Sequence, residues 1–398
     1  MVANAEMTRA SIAASDRPRV GGHLDAAFRP VGECFVERLA EAELGASLCV
    51  IVDGQTVVDL WGGYRDRKRL HPWRRDTLVC GFSSSKGATA TAILDAVAAG
   101  ALELDAPLTN LWPELGGDGR EGITLRHVLS HRAGLPGWRS DAGLVPADLL
   151  DPVRMTTALA AQKPFWTPGA QHGYHARSFG YLLAEVLVRA TGETVGARLR
   201  RRITGPRELD FLIGMSTPDQ ARCADLAPAA AGFVVPEASR PMLKAMSDLE
   251  SATGAAFSIP PAPRGLNTST RWRALELPAM NGHGTAAGLA GLYAALLAGE
   301  LLPPSLLAEA RMPHSDGADA VLLQHSTFGL GFMCSRSTLR LGISDASFGH
   351  AGAGGSVAFA DAEARVAFAF LMNRLRPGAV TGNDSAMALL DALQGCLA

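Results

Sequence analysis

The sequence predicts an α/β (α+β) fold: an antiparallel sheet built from both ends of the chain, flanked by helices, with a mainly helical lobe inserted between its halves. Three observations lead there. The stretch "ASLCVIVDGQTVVDLWGG" (46–63) holds two apolar runs joined by Asp53-Gly54, a two-residue hairpin signal because both residues tolerate positive φ. Near the other end, "GGSVAFADAEARVAFAFLMNRL" (354–375) reads as two more strands around the turn "ADAEA". Between them, from about 105 to 215, the apolar spacing is mainly helical and broken by Gly- and Pro-rich loops.

The remaining elements follow in chain order. Residues 24–44 read as a helix. Residues 85–100 form another, with Ala88, Ala90, Ile93, Leu94 and Val97 on one side and Gly100 closing it. A third runs from about Arg177 to Ala190 and stops at Gly192. Residues 226–280 are less regular, contain the loop "IPPAPRG", and are expected to lie over a cleft. A helix over 381–396 closes the chain. The domain organisation expected is therefore a sheet lobe of 1–80 plus 281–398, a helical lobe of 81–280, and a site between them.

Composition narrows the function classes. A chain of 398 residues is long enough for two lobes sharing a cleft. The formal net charge of -2 gives no electrostatic reason to expect nucleic acid or an anionic membrane as partner. No window approaches the roughly 18 uncharged apolar residues of a membrane span. The N-terminal "MVANAEMTRASIAASDRPRVGG" lacks the apolar core of a secretory signal, so a cytoplasmic protein is expected. Six scattered cysteines without a CxxC read as reduced thiols, not as a metal or disulfide framework.

The chemistry-bearing stretch is "CGFSSSKGATATAILDAVAAG" (80–100). Residues three apart share a helix face, and of the three serines only Ser83 stands at i−3 from Lys86. A serine hydroxyl is a poor nucleophile until a neighbouring base takes its proton, and a desolvated lysine is such a base. The apolar flanks leave Lys86 without another charge until Asp95, an odd place for a lysine whose task is solubility. Tyr174, in "WTPGAQHGYHARSFGYLLAEVLVRATG" (166–192), stands just before a helix and is a candidate proton relay. In "FGHAGAGGSVAF" (348–359) the glycines let backbone approach a ligand, and N–H groups along such an edge stabilise an oxyanion. His172 and His175 flank Tyr174 and are expected to shape the pocket, with Trp138 and Trp166 as candidate walls. His127 and His131 stand at i, i+4 but lack the glutamate of H-E-x-x-H, so neither a metal nor a cofactor is expected. No G-x-S-x-G elbow is present, because Gly81-Phe82-Ser83-Ser84-Ser85 ends in serine.

Together these segments resemble the serine β-lactamase-like and penicillin-binding-protein-like superfamily, in particular its family VIII carboxylesterases. The order is the family's: Ser83-Ser84-Ser85-Lys86, then "GITLRHVLSHRAGLPG" (122–137), the Tyr174 segment, "NGHGTAAGLAGLYAALLAG" (281–299) and "FGHAGAGGS" (348–356). The resemblance implies a β-lactamase-like fold, with Ser83 as the acylated nucleophile and Lys86 and Tyr174 sharing the base and proton-relay duty. It implies an oxyanion hole from the N–H groups of Ser83 and Ala353. His350, Gly352, His175 and Trp138 are expected to contact substrate. Two departures stand out. Tyr174-His175-Ala176 replaces the family's Tyr-x-Asn, and His350-Ala351-Gly352 replaces Lys-Thr-Gly. Losing that asparagine and lysine disfavours β-lactams and peptidoglycan, and a neutral ester or other small acyl substrate is expected. A transacylase delivering the acyl group to an amine or alcohol is the alternative; a β-lactamase, a DD-peptidase and a ligand-binding scaffold without turnover are ranked below it.

Overall fold

In the computed structural model, strands β2 (Gly45–Val52) and β12 (Val366–Met372) pair antiparallel, from Val52 opposite Val366 to Ala46 opposite Met372, joining the two ends of the chain. The structure describes residues 19–263, 265–336, 340–378 and 382–397; the first 18 residues, which carry most of the stretch weighed as a leader, lie outside them. Around that joint, a nine-stranded antiparallel sheet runs in the order β1-β3-β2-β12-β11-β10-β9-β8-β7. Its other strands are β1 (Val20–Leu24), β3 (Gln55–Gly63), β7 (Ser315–Ala318), β8 (His325–Phe328), β9 (Met333–Cys334), β10 (Ser347–Ala351) and β11 (Val357–Asp361). The short β4 (Val79–Cys80), β5 (Phe211–Leu212) and β6 (His283–Gly284) form a second sheet in the order β4-β6-β5. The β2–β3 hairpin turns at Asp53 (φ 50°) and Gly54 (φ 79°), the two positive φ angles that an Asp-Gly turn supplies.

The alternation of β11 and β12 sorts residues by size. Val357, Phe359, Val366, Phe368 and Phe370 face one core with Phe28, Val31, Phe35 and Leu39, against helix α1 (Arg29–Glu41) and the C-terminal helix Asp384–Leu397. Phe359 and Phe368, opposite each other in register, stack with centroids 5.2 Å apart. Each such buried ring contributes about 1.5–3 kcal/mol by area alone. The other face presents Ala358, Ala360, Ala367 and Ala369 to the core that includes helix α2 (Ser85–Ala98) and the Ala286–Leu297 helix. Small side chains there let an Ala- and Gly-rich helix lie close on the sheet.

Two expectations change. The 105–215 stretch is less helical than its spacing suggests. Residues 108–115 and 140–150 hold only single turns, α3 (Leu125–Leu129) has five residues, and longer helices begin with α4 (Pro152–Ala161) and α5 (Ser178–Thr191). Gly117 (φ 92°) and Gly119 (φ 84°) break the first part, where an L-residue would be strained. The edge strand β1, too short and polar to signal itself, pairs with β3. Among the described residues no helix is long and apolar enough to cross a membrane.

Candidate active site

The site begins at a strained turn. Phe82 holds φ 46° in the single turn Phe82–Ser84 that leads into α2, a left-handed conformation costly for an aromatic residue. The three serines that follow have separate contacts. Ser83 borders the cavity and lies 3.1 Å from Lys86 Nζ. Ser84 Oγ lies 3.1 Å from Ser356 Oγ, which donates to the Gly81 carbonyl (2.8 Å), tying this turn to the glycine-rich segment after β10. Ser85 Oγ donates to the Phe82 carbonyl and accepts from Gly282 N (2.8 Å), tying it to the 281–284 segment.

Lys86 is fully buried in the first turn of α2. Its Nζ donates to the carbonyls of Ala176 (2.7 Å) and Ala279 (3.2 Å). Burial drives its pKa well below that of a free lysine. The carbonyls and the Tyr174 ring, 4.7 Å from Nζ, favour the ammonium, but desolvation outweighs them. A neutral amine has two N–H bonds for the two carbonyls and one lone pair left for the Ser83 proton.

Tyr174 is buried, stacks on Phe328 (5.8 Å between centroids, 10° between planes) and borders the same cavity as Ser83. Burial raises its pKa, with the Ser83 contact opposing and the Asp319 charge reinforcing, so it stands as a protonated phenol. His350 Nδ1 donates to the Ala351 carbonyl (2.6 Å), and burial, then Lys86, bring its pKa down to about 3, leaving the ring neutral.

Ser83, Tyr174, His350, Gly352 and Ala353 line a single cavity of about 240 Å³. Met242, Leu243, Met246 and Phe257 complete its wall from the 226–280 stretch, with Leu322, Phe328 and Met333 from the sheet side. None of these lining residues is Lys, Arg, Asp or Glu. Four sequence candidates, Trp138, Trp166, His172 and His175, are not part of that wall. Trp138 is fully buried in the helical core, edge-on to Tyr181, with Nε1 donating to the Met155 carbonyl (2.9 Å). It fills core volume and does not touch the cavity. His175 is also fully buried; its Nδ1 donates to the Gly173 carbonyl (2.7 Å), and its ring lies between those of His131 and Trp166, behind Tyr174. His131 accepts the His175 backbone N–H at Nδ1 and packs among Tyr174, Phe179 and Phe328; among the described residues no cluster of three metal-ligating side chains forms. Sequence reading missed Asp319, whose Oδ1 accepts the Tyr174 backbone N–H (3.1 Å). No local pattern links two residues so far apart in the chain.

The chain is similar to known proteins over most of its length. The family model described as Beta-lactamase matches residues 25–392. The Esterase/beta-lactamase LipL of Mycobacterium tuberculosis is 31% identical over 393 residues, 94% of this chain and 89% of its own. Among solved structures, a family VIII carboxylesterase superposes with a TM-score of 0.85 at 31% identity, covering 95% of this chain and all of its own. A penicillin-binding protein homolog from Caulobacter crescentus gives a TM-score of 0.85 at 34% identity over the same shares. The chain belongs to the beta-lactamase family, as a serine hydrolase of its esterase/beta-lactamase type.

Proposed function

We propose that the protein is a carboxylesterase that cleaves neutral esters through an acyl-enzyme on Ser83. The observation that carries this reading is the buried Lys86 amine 3.1 Å from Ser83 Oγ, its pKa held well below that of a free lysine by desolvation. Lys86 takes the Ser83 proton as the serine oxygen bonds to the ester carbonyl carbon. The N–H groups of Ser83 and Ala353 receive the developing oxyanion. As the ester C–O bond breaks, Tyr174 protonates the leaving alkoxide and recovers a proton from Lys86. Water, deprotonated by the same pair, then releases the acid. The cleft between the sheet lobe (1–80 plus 281–398) and the helical lobe (81–280) holds the acyl group, and residues 226–280 cover it.

Substrate charge follows from the cavity wall. Among the described lining residues a carboxylate substrate would meet no Lys or Arg, whereas an uncharged ester meets methionines, leucines and phenylalanines. The cavity is smaller than the roughly 300–1,000 Å³ of drug-sized sites, which suits short or medium acyl chains. That apolar wall also favours a second reading, in which the acyl group passes to an alcohol or amine because little water reaches it. Product partitioning with added alcohol separates the two, since unchanged acid yield removes the transferase.

The deciding test is intact mass after exposure to 4-nitrophenyl butyrate or a fluorophosphonate. One acyl or phosphonyl adduct is expected on the native protein, Ser84→Ala and Ser85→Ala, and none on Ser83→Ala. An adduct on Ser83→Ala overturns the mechanism, and no adduct on the native protein points to a binding scaffold.

A further inference from the structure

We propose that Asp319 is a positioning residue for Tyr174, holding the phenol where it protonates the leaving alkoxide; this rests on the carboxylesterase reading and deepens it. Asp319 lies in the 319–324 loop between β7 and β8, with its carboxylate fully buried. Oδ1 accepts three backbone N–H groups: Val321 (2.8 Å), Leu322 (2.8 Å) and Tyr174 (3.1 Å). Oδ2 accepts the Ser326 hydroxyl (2.8 Å), whose oxygen in turn lies 3.0 Å from His172 Nε2. With its own proton committed to Asp319, Ser326 accepts from a His172 Nε2–H. The loop also returns a backbone bond, Ala320 N to the His172 carbonyl (3.1 Å).

The bonds to Val321 and Leu322 are what any Asp capping its own loop makes. The bonds to Tyr174 and, through Ser326, to His172 are not local. They clamp the 172–174 segment from both sides, although it is 145 residues away in the chain. A carboxylate fits this place better than an amide, because four donors converge on two oxygens and a neutral Asn offers one oxygen. Buried carboxyl oxygens need hydrogen-bond partners, and both of these have them. The same loop sets two further parts of the site. Leu322 lines the cavity, and Phe328, two residues beyond Ser326, is the ring on which Tyr174 stacks. Val321 accepts from Thr253 Oγ1 (2.8 Å), linking the loop to the Ala252–Ser258 helix that carries Phe257.

In the step concerned, the ester C–O bond breaks, the alkoxide takes the Tyr174 phenol proton, and the phenolate takes one from the Lys86 ammonium. An alkoxide needs that proton; a 4-nitrophenolate leaves without it. A positioning role therefore has a leaving-group signature that a general loss of structure lacks. Acylation rates with ethyl butyrate and 4-nitrophenyl butyrate should be compared in the wild type, Tyr174→Phe, Asp319→Ala, Asp319→Asn and the Asp319→Ala/Tyr174→Phe double variant. Asp319→Ala is expected to lower kcat on the ethyl ester about 100-fold, as for a misplacement of about 1 Å, with KM changed less than about twofold. The nitrophenyl ester should slow by less than about fivefold. Asp319→Asn, which keeps one acceptor oxygen and carries the test if the alanine variant does not fold, should lose about tenfold on the ethyl ester alone. The double variant should be no slower than Tyr174→Phe, as expected of residues acting through one another. Equal slowing of both esters, slowing of neither, or multiplied losses in the double variant overturn the inference. If Tyr174→Phe itself treats the two esters alike, the proton-donor reading of Tyr174 falls with it.

Discussion

Lys86 Nζ sits 3.1 Å from Ser83 Oγ, and its N–H bonds go to the carbonyls of Ala176 and Ala279. This ties nucleophile and base to one helical turn, while the two carbonyls come from segments 90 and 193 residues away.

Removing the amine should separate activity from stability. Lys86→Met is expected to lower acylation by about 10²–10⁴-fold. Because burial lowers the folded pKa, the unfolded chain binds a proton that the folded chain refuses. Wild-type stability therefore rises with pH between the folded value and the unfolded lysine value of about 10.4. The stability advantage of Lys86→Met over wild type should be largest near neutrality and shrink as pH rises toward about 10. Urea unfolding from pH 7 to 10 checks this, and a flat difference would contradict it.

Acid should unfold the protein through its buried imidazoles. Burial holds His175 and His283 down to about 4 and His350 to about 3, and keeps His131 well below a free imidazole. Below the unfolded value of about 6.5 the unfolded chain takes up protons that the folded chain does not, so stability is lost as pH falls from about 6.5 toward about 4. The urea midpoint should drop between pH 7 and pH 5, and replacing His283 by Gln should make the drop shallower.

Gly352 has no room for a methyl group. A Cβ there would lie 2.0 Å from the Gly81 carbonyl oxygen and 2.3 Å from Ser356 Oγ, the two groups that join the nucleophile turn to the glycine-rich segment. Gly352→Ala should push these apart and cut kcat by about 10²-fold, with a smaller change in KM. Wild-type kcat in that variant would show that the two segments move independently.

The cavity wall should set acyl length. Met246→Trp fills space in a cavity of about 240 Å³ and should lower kcat/KM for a 4-nitrophenyl octanoate at least about tenfold. The acetate should change by less than about twofold. Equal effects on both esters would place the acyl chain elsewhere.

The residues alone determined what depends on short-range geometry. Helix periodicity singles out Ser83 from three serines because only it shares a face with Lys86, and Asp53-Gly54 marks the hairpin because both accept positive φ. The two apolar runs around "ADAEA" mark a second pair of strands, and their register then sets Phe359 opposite Phe368. Tertiary structure decided what depends on contacts distant in sequence. It gave Ser84 and Ser85 their partners in Ser356 and Gly282, and brought Asp319 to the Tyr174 N–H. It also put Trp138 in the core, although a tryptophan near a glycine-rich loop reads equally well as a pocket wall. The division has one physical cause. Backbone geometry repeats every two residues in a strand and every 3.6 in a helix, so neighbours on one element follow from spacing. Which carbonyls accept from a buried lysine, and which carboxylate grips a tyrosine segment, is set by how separate elements pack, and no local pattern carries that.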